Sequence, residues 1–311
     1  MKTVLSLPAH YDFAGTLGPL RVFPADPAAR LTATELWWAV RTPDGPATLH
    51  LRRYGDEAEA TGYGAGAGWV IDRATAIAGL DDDVSGFTAL AALDPVVRRA
   101  WHDRPGLRLT RTGRLFVHLL PTILGQKVTG KEAFRGYAKI VRHFGEQAPG
   151  PLPGLLLPPD PARIAGSPYW VFHPFGVEQK RADALRRVAA VADRLEAAPD
   201  AAAATARLVS MPGIGEWTAA EVVRLGYGDP DAVTVGDYNI PHHVVYALTG
   251  AVRAGSRESA PGRYSEADLR MLELLAPFTG QRARVVQLLT ATRPAPPRFG
   301  PRMPIRSFAR F

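Results

Sequence analysis

Cysteine is absent from all 311 residues. That excludes disulfides, Cys-based zinc sites and Cys-ligated iron–sulfur clusters. Histidine is sparse, with eight residues, and none falls into H-E-x-x-H or a comparable ligand pattern. His, Asp and Glu remain able to bind metal, but no metal and no cofactor is expected. Long apolar runs are missing too: no stretch reaches the roughly 18 residues that span a bilayer. Met1 to Pro8 carries one Lys and a short apolar patch, too weak for a secretory signal. The expectation is a soluble, cytoplasmic chain with no membrane partner. No internal repeat is visible. Positive charge is short in one part only. Residues 1–97 hold 7 Lys/Arg against 12 Asp/Glu, a balance of −5, and the remainder holds 30 against 18, a balance of +12. The net charge of +7 therefore hides an acidic and a strongly basic portion. A polyanionic partner fits this asymmetry; a merely solvated basic surface is the bland alternative.

Hydrophobic residues at 46% and charged residues at 22% are ordinary for a protein with a real core. Residues 36–41 are apolar and aromatic. A Pro43–Asp44–Gly45 turn follows, then residues 48–53 and 57–63, which together read as an antiparallel meander. Asp81, Asp82 and Asp83 suit a helix N-terminus. From residue 112 the pattern turns helical, with segments at 112–124, 129–144, 177–196, 201–210, 216–226, 240–248, 265–275 and 280–291. Segment 129–144 is amphipathic. Phe134, Tyr137, Val141 and Phe144 share one face, and Lys131, Arg135, Lys139 and Arg142 the other. This stripe belongs to a dense run, since residues 98–142 hold 11 Lys/Arg against two acids. Residues 147–161 are rich in Pro and Gly and read as a loop. The tail from Arg293 has five Arg and no acid and reads as extended, partly disordered chain. The fold class is α+β, with a β-containing domain over 1–111, a helical domain over 112–292 and a basic tail over 293–311.

The chemistry concentrates in residues 208–240. Met211–Pro212–Gly213–Ile214–Gly215 separates two helical segments. Pro ends the first, and the two glycines permit a tight turn with positive φ. N–H groups at the start of the next helix can then bind a phosphate. A plain αα-turn also uses Gly, so this pattern alone is weak. About twenty residues later an apolar stretch leads into Gly236–Asp237–Tyr238.

Hairpin, spacing and Asp together resemble the helix–hairpin–helix DNA glycosylase superfamily. The resemblance continues upstream, where Ile123–Leu124–Gly125–Gln126 is similar to the segment that fills the gap left by an extruded base. With the region of Asp81 to Asp83 and the β-containing N-terminal part, it points to the alkylation-repair branch, the inducible 3-methyladenine DNA glycosylase type, over roughly residues 20–292. It implies a catalytic role for Asp237, whose other reading is a helix N-cap; both can hold. Trp217 matches an aromatic of the base pocket, or is a core residue. Glu221, one turn later, stands where relatives carry an aromatic; it either alters base preference or points to solvent. Tyr238 joins them as a pocket candidate. Gln126 matches a polar residue near the DNA gap, and Gly213, Gly215 and Thr218 the phosphate-binding hairpin. Lys131 and Arg135 are further DNA contacts. Lys127 stands where an intercalating Leu is common, and either fills the gap with its stem or contacts a phosphate.

Bifunctional relatives carry a Lys nucleophile at the position of Trp217. Without that amine there is no Schiff base, so hydrolysis without strand cleavage is implied. The resemblance thus implies base-excision repair of DNA damage. The enzyme would be a monomeric DNA N-glycosylase acting on double-stranded DNA with an alkylated purine such as 3-methyladenine. Neutral lesions (uracil, hypoxanthine, oxidised purines) and a catalytically silent DNA-binding protein are the alternatives.

Overall fold

The computed structural model describes residues 1–252 and 264–297. Of the basic tail, residues 298–311 lie outside the described residues. Five strands form one antiparallel sheet: β1 (Lys2–Ser6), β2 (Ala29–Leu31), β3 (Glu35–Thr42), β4 (Gly45–Tyr54) and β5 (Glu57–Tyr63), in the order β1-β5-β4-β3-β2. The three-stranded meander β3-β4-β5 falls where segments 36–41, 48–53 and 57–63 and the turn between the first two place it. Leu36 pairs with Leu51, Trp38 with Leu49 and Val40 with Ala47, so one face is wholly apolar and buried. Phe13, Leu17, Trp69, Val70 and Ile77 close over that face. On the other face Trp37 stacks on His50 at 3.7 Å. The Pro/Gly-rich loop packs there through Ala148, Leu155 and Leu157 against Ala39 and Trp37. β1 and β2 at the edges were not expected.

Helices of nine residues or more are α1 (Pro95–Asp103), α2 (Phe116–Gly125), α3 (Gly130–Phe144), α4 (Gln179–Ala190), α5 (Ala201–Val209), α6 (Glu216–Gly226), α7 (Ile240–Thr249), α8 (Glu266–Leu275) and α9 (Arg282–Thr292). The capping box Thr129/Glu132 starts α3, satisfying two backbone donors reciprocally. Tyr137, Val141 and Phe144 are buried, while Lys131, Arg135, Lys139 and Arg142 are exposed. Phe134 departs from its expected face in part: it is 38% exposed and stacks on Phe23.

Leu119, Ile123, Tyr137, Val141, Leu185, Leu208 and Val222 pack α2 to α6 into one core. A second helical core joins Phe87, Val97 and Leu107 to Val244, Met271, Val285 and Leu289 of α7, α8 and α9. Each such buried side chain contributes about 1.5–3 kcal/mol. Residues 87–107 thus share a core with the last three helices, across the division expected at residue 111.

No helix starts at Asp81. The next one begins at Phe87, after Gly86. Asp82 instead accepts from Arg284 Nη1 (2.8 Å) and from the Leu109 N–H (2.8 Å), and Arg284 is only 1% exposed. Asp81 pairs with Arg111, and Asp83 accepts from the Ser85 N–H. A surface carboxylate at a helix start gains about 0.3–1 kcal/mol, whereas leaving a buried guanidinium unpaired is penalised by about 3–5 kcal/mol. The ion pair decides the conformation. Among the described residues no helix is long and apolar enough to cross a membrane.

Candidate functional site

The hairpin between α5 and α6 is built as the glycines require. Gly213 has φ +92°, and a Cβ there would lie 2.8 Å from Ala184 Cβ. Gly215 is the N-cap of α6 with no side-chain cap, and a Cβ there would meet open space. Its smallness therefore serves no contact inside the protein. Gln126, just past α2, donates from Nε2 to the Gly213 carbonyl (3.0 Å) and to Thr218 Oγ1 (2.9 Å). The segment expected near the DNA gap is thereby strapped to the hairpin. Thr218 is 1% exposed, so its hydroxyl serves Gln126 rather than solvent. Lys127 follows, exposed and in the left-handed region at φ +54°.

Asp237 sits in the loop that leads into α7. Its Oδ1 accepts from the Asn239 N–H (2.7 Å) and the Ile240 N–H (2.8 Å), two free donors at the start of α7, whose N-cap is Asn239. Its Oδ2 accepts from Trp217 Nε1 at 3.0 Å. One oxygen holds the start of α7 and the other faces the indole. The loop is fixed from behind by Asp268, which is 3% exposed: its Oδ1 accepts from the Gly236 N–H at 2.8 Å, and its Oδ2 from Ser265.

Beside Trp217 lies a cavity of about 240 Å³. Trp217, Glu221 and Arg224 of α6 form one wall, and Arg21, Asp26 and Trp38 of the N-terminal part form another. Glu221 Oε2 accepts from Arg224 Nη2 at 3.0 Å. Burial pushes the Asp26 carboxyl up to about 6, against the pull of the Ala28 and Val22 N–H groups that it binds. Burial also pushes the His118 imidazole down to about 3, with the nearby Arg224 charge acting in the same direction. His118 is therefore neutral, bonded to Thr112.

Trp217 bonds Asp237 and shares the cavity wall with Glu221, Asp237 itself lines no part of the cavity, and Gln126, Gly213 and Thr218 form a second cluster. Tyr238 is not brought in: it is 63% exposed and lines no part of the cavity. Lys131 and Arg135 lie on the outer face of α3. Sequence reasoning missed Asp26, Arg224, Asp268 and Arg181. Arg181, 4% exposed, donates from Nη1 to the Leu124 carbonyl at 2.6 Å and so anchors the end of α2. Among the described residues no group of three or more His, Asp or Glu is arranged to hold a metal ion.

No protein-family model matches the chain. Over 173 residues, 52% of its length, it is 28% identical to the probable bifunctional transcriptional activator/DNA repair enzyme AlkA of Mycobacterium tuberculosis, covering 33% of that protein. Over 164 residues, 51% of its length, it is 31% identical to DNA-3-methyladenine glycosylase 2 of Escherichia coli K12, covering 58% of it. The chain thus spans from one third to somewhat over half of the length of these curated relatives. Among solved structures, the 3-methyladenine DNA glycosylase of Archaeoglobus fulgidus superposes with a TM-score of 0.71, covering 93% of this chain and 97% of that one at 17% identity. This chain shares the fold of that protein. The 8-oxoguanine glycosylase/lyase of Clostridium acetobutylicum shares that fold, with a TM-score of 0.67, coverage of 93% and 95%, and 12% identity. Within the glycosylase fold, the sequence similarity lies with the 3-methyladenine branch. The expected α+β architecture, an antiparallel sheet followed by helices, is the one observed.

Proposed function

We propose that this chain is a monofunctional DNA glycosylase that hydrolyses the N-glycosidic bond of alkylated purines, such as 3-methyladenine, in duplex DNA. One observation carries the reading: Trp217 both walls the cavity and donates a hydrogen bond to Asp237. A base in the cavity stacks on the indole, and its sugar lies toward the carboxylate.

A base buried in a duplex is out of reach, so the nucleotide flips out at a cost of a few kcal/mol. The uncapped start of α6 at Gly215 suits a phosphate, and the exposed Lys131 and Arg135 add sequence-independent contacts. An N-alkylated purine is already cationic and leaves readily. Its stacking on Trp217 gains a cation–π contribution of about 0.5–2 kcal/mol. As the C–N bond breaks, positive charge develops on the sugar and Asp237 stabilises it; a water molecule then adds to C1′ and gives up a proton, leaving the abasic sugar and the neutral free base. The two backbone N–H groups on Oδ1 hold the carboxylate in place, so little reorganisation is needed as that charge develops. Trp217 offers no amine, so no Schiff base forms there and the strand stays intact.

The test is incubation with duplex oligonucleotides that carry single defined lesions, followed by hot alkali. The expected result is an alkali-labile abasic site at alkylated purines and no break before alkali. Intact strands for every lesion would overturn the reading.

A further inference from the structure

We infer that Glu221 and Arg224 form a hydrogen-bonding pair that reads the edge of the base held in the cavity, so that purines presenting an N–H donor beside an acceptor are preferred over equally charged purines that lack the donor. This rests on the glycosylase reading above and deepens it.

The cavity has charged groups on both walls, and they are differently committed. Asp26 binds the N–H groups of Val22 and Ala28 with its two oxygens, and Arg21 Nη1 donates to the Leu31 carbonyl at 3.1 Å. Both residues bond backbone of residues 22–31, and Arg21 keeps Nε and Nη2 without a hydrogen-bond partner among the described residues. His118 is occupied by Thr112. Glu221 and Arg224 instead bond each other. Their single mutual bond uses Oε2 and Nη2, and Glu221 Oε1 and Arg224 Nη1 and Nε have no hydrogen-bond partner among the described residues. Both side chains are about one fifth exposed, 23% for Glu221 and 19% for Arg224, and both line the cavity. The pair therefore leaves an acceptor and donors on adjacent groups, one and two helical turns from the indole on which the base stacks.

A carboxylate accepts only and a guanidinium donates only. Side by side they complement an edge with one N–H and one acceptor: N1–H and O6 of hypoxanthine or a guanine, or the amino group and N1 of an adenine. The two charges cancel locally, so the pair adds little preference for a cationic base. What it adds is a penalty on a base without the N–H, because a buried acceptor then goes unpaired. That is a different selection from the one Trp217 exerts, which depends on charge.

The experiment measures single-turnover release of three bases from duplex DNA: 7-methylguanine, hypoxanthine and 1,N6-ethenoadenine. The last is neutral like hypoxanthine but has no N–H on the edge in question. Wild-type protein is expected to release hypoxanthine about 10-fold or more faster than ethenoadenine. Glu221→Ala should reduce release of hypoxanthine and of 7-methylguanine, which both present N1–H beside O6, about 10- to 100-fold, and leave ethenoadenine unchanged or improved. Glu221→Gln, which keeps the shape, should give an intermediate loss on hypoxanthine. It also decides the matter if the Ala variant unfolds. Equal losses on all three bases would mark a merely structural role and overturn the inference. So would wild-type protein that releases 7-methylguanine but discriminates neither neutral base from the other. Failure of wild-type protein to release any base would instead overturn the glycosylase reading itself.

Discussion

Asp237 does two things with two oxygens, and a substitution can separate them. Asn suits helix starts about as well as Asp, and its carbonyl oxygen can accept from Asn239 and Ile240 as Oδ1 does now. Asp237→Asn is therefore expected to melt within a few degrees of wild type and to bind duplex DNA, while base release falls by about 100-fold or more, because the stabilising charge is gone. Thermal melting, a binding titration and the alkali assay check the three parts. Near-normal release would remove Asp237 from the chemistry. The residues of this site were legible to different degrees for a physical reason. Asp237, Trp217 and the hairpin glycines fall within one run of 33 residues, and their spacing is local. Arg181 bonds a carbonyl 57 positions away, and Asp82 meets Arg284 across 202. No local pattern marks such partners, since an Arg or Asp looks the same whether solvated or buried. Tyr238 shows the converse: next to Asp237 in sequence, it stays at the surface because the chain turns into α7 just after it.

At the scale of elements, the hairpin separates folding from binding. Gly213→Val forces a β-branched residue to φ +92° and into Ala184. It is expected to destabilise the protein by about 1–3 kcal/mol. Gly215→Val meets neither obstacle inside the protein and should melt normally, yet bind duplex DNA of any sequence more weakly, since its side chain occupies the space a phosphate needs. Normal DNA binding by Gly215→Val would remove the hairpin from the DNA interface. Helix α2 carries a pH dependence. His118 is held neutral, with its folded pKa near 3, below its ordinary value of 6.5. Above 6.5 this arrangement has no proton cost. As pH falls below 6.5 the unfolded chain takes up the proton first, so stability is lost progressively down to about 3. Between pH 7 and pH 4 that amounts to about 3 kcal/mol. The melting temperature should fall over this range, and His118→Gln should flatten the fall. The elements were legible where the pattern is long. β3 to β5 run for seven to ten residues between turn residues, and α3 repeats its faces over fifteen. β2 has three residues and β1 lies at an edge with only Leu5 buried, too little for a pattern to show.

At the scale of the whole molecule, the charge asymmetry becomes a statement about binding. Residues 1–97, with a balance of −5, supply the sheet and its covering helices. The basic remainder holds the hairpin, the stripe on α3 and Lys127. A polyanion is then attracted to one part and repelled by the other, which orients it. Each phosphate neutralised by a cation releases counterions, so affinity falls with salt at about 0.9 log units per contact for each log unit of salt. The intact chain is expected to show a steep slope. Lys131→Ala and Arg135→Ala should each lower it by about one unit where they touch a phosphate. Lys127 tests a finer point. Its φ of +54° strains any side chain by about 1 kcal/mol. Lys127→Gly should therefore raise stability slightly, and a wedge or phosphate contact there is what would keep a Lys in place of Gly. If its stem fills the gap, Lys127→Leu should preserve extrusion, read by a fluorescent base analogue opposite the lesion, and Lys127→Gly should abolish it. If it holds a phosphate, both variants should extrude alike and lower the salt slope alike. Binding that is independent of salt in every variant would show that the basic portion faces something other than nucleic acid.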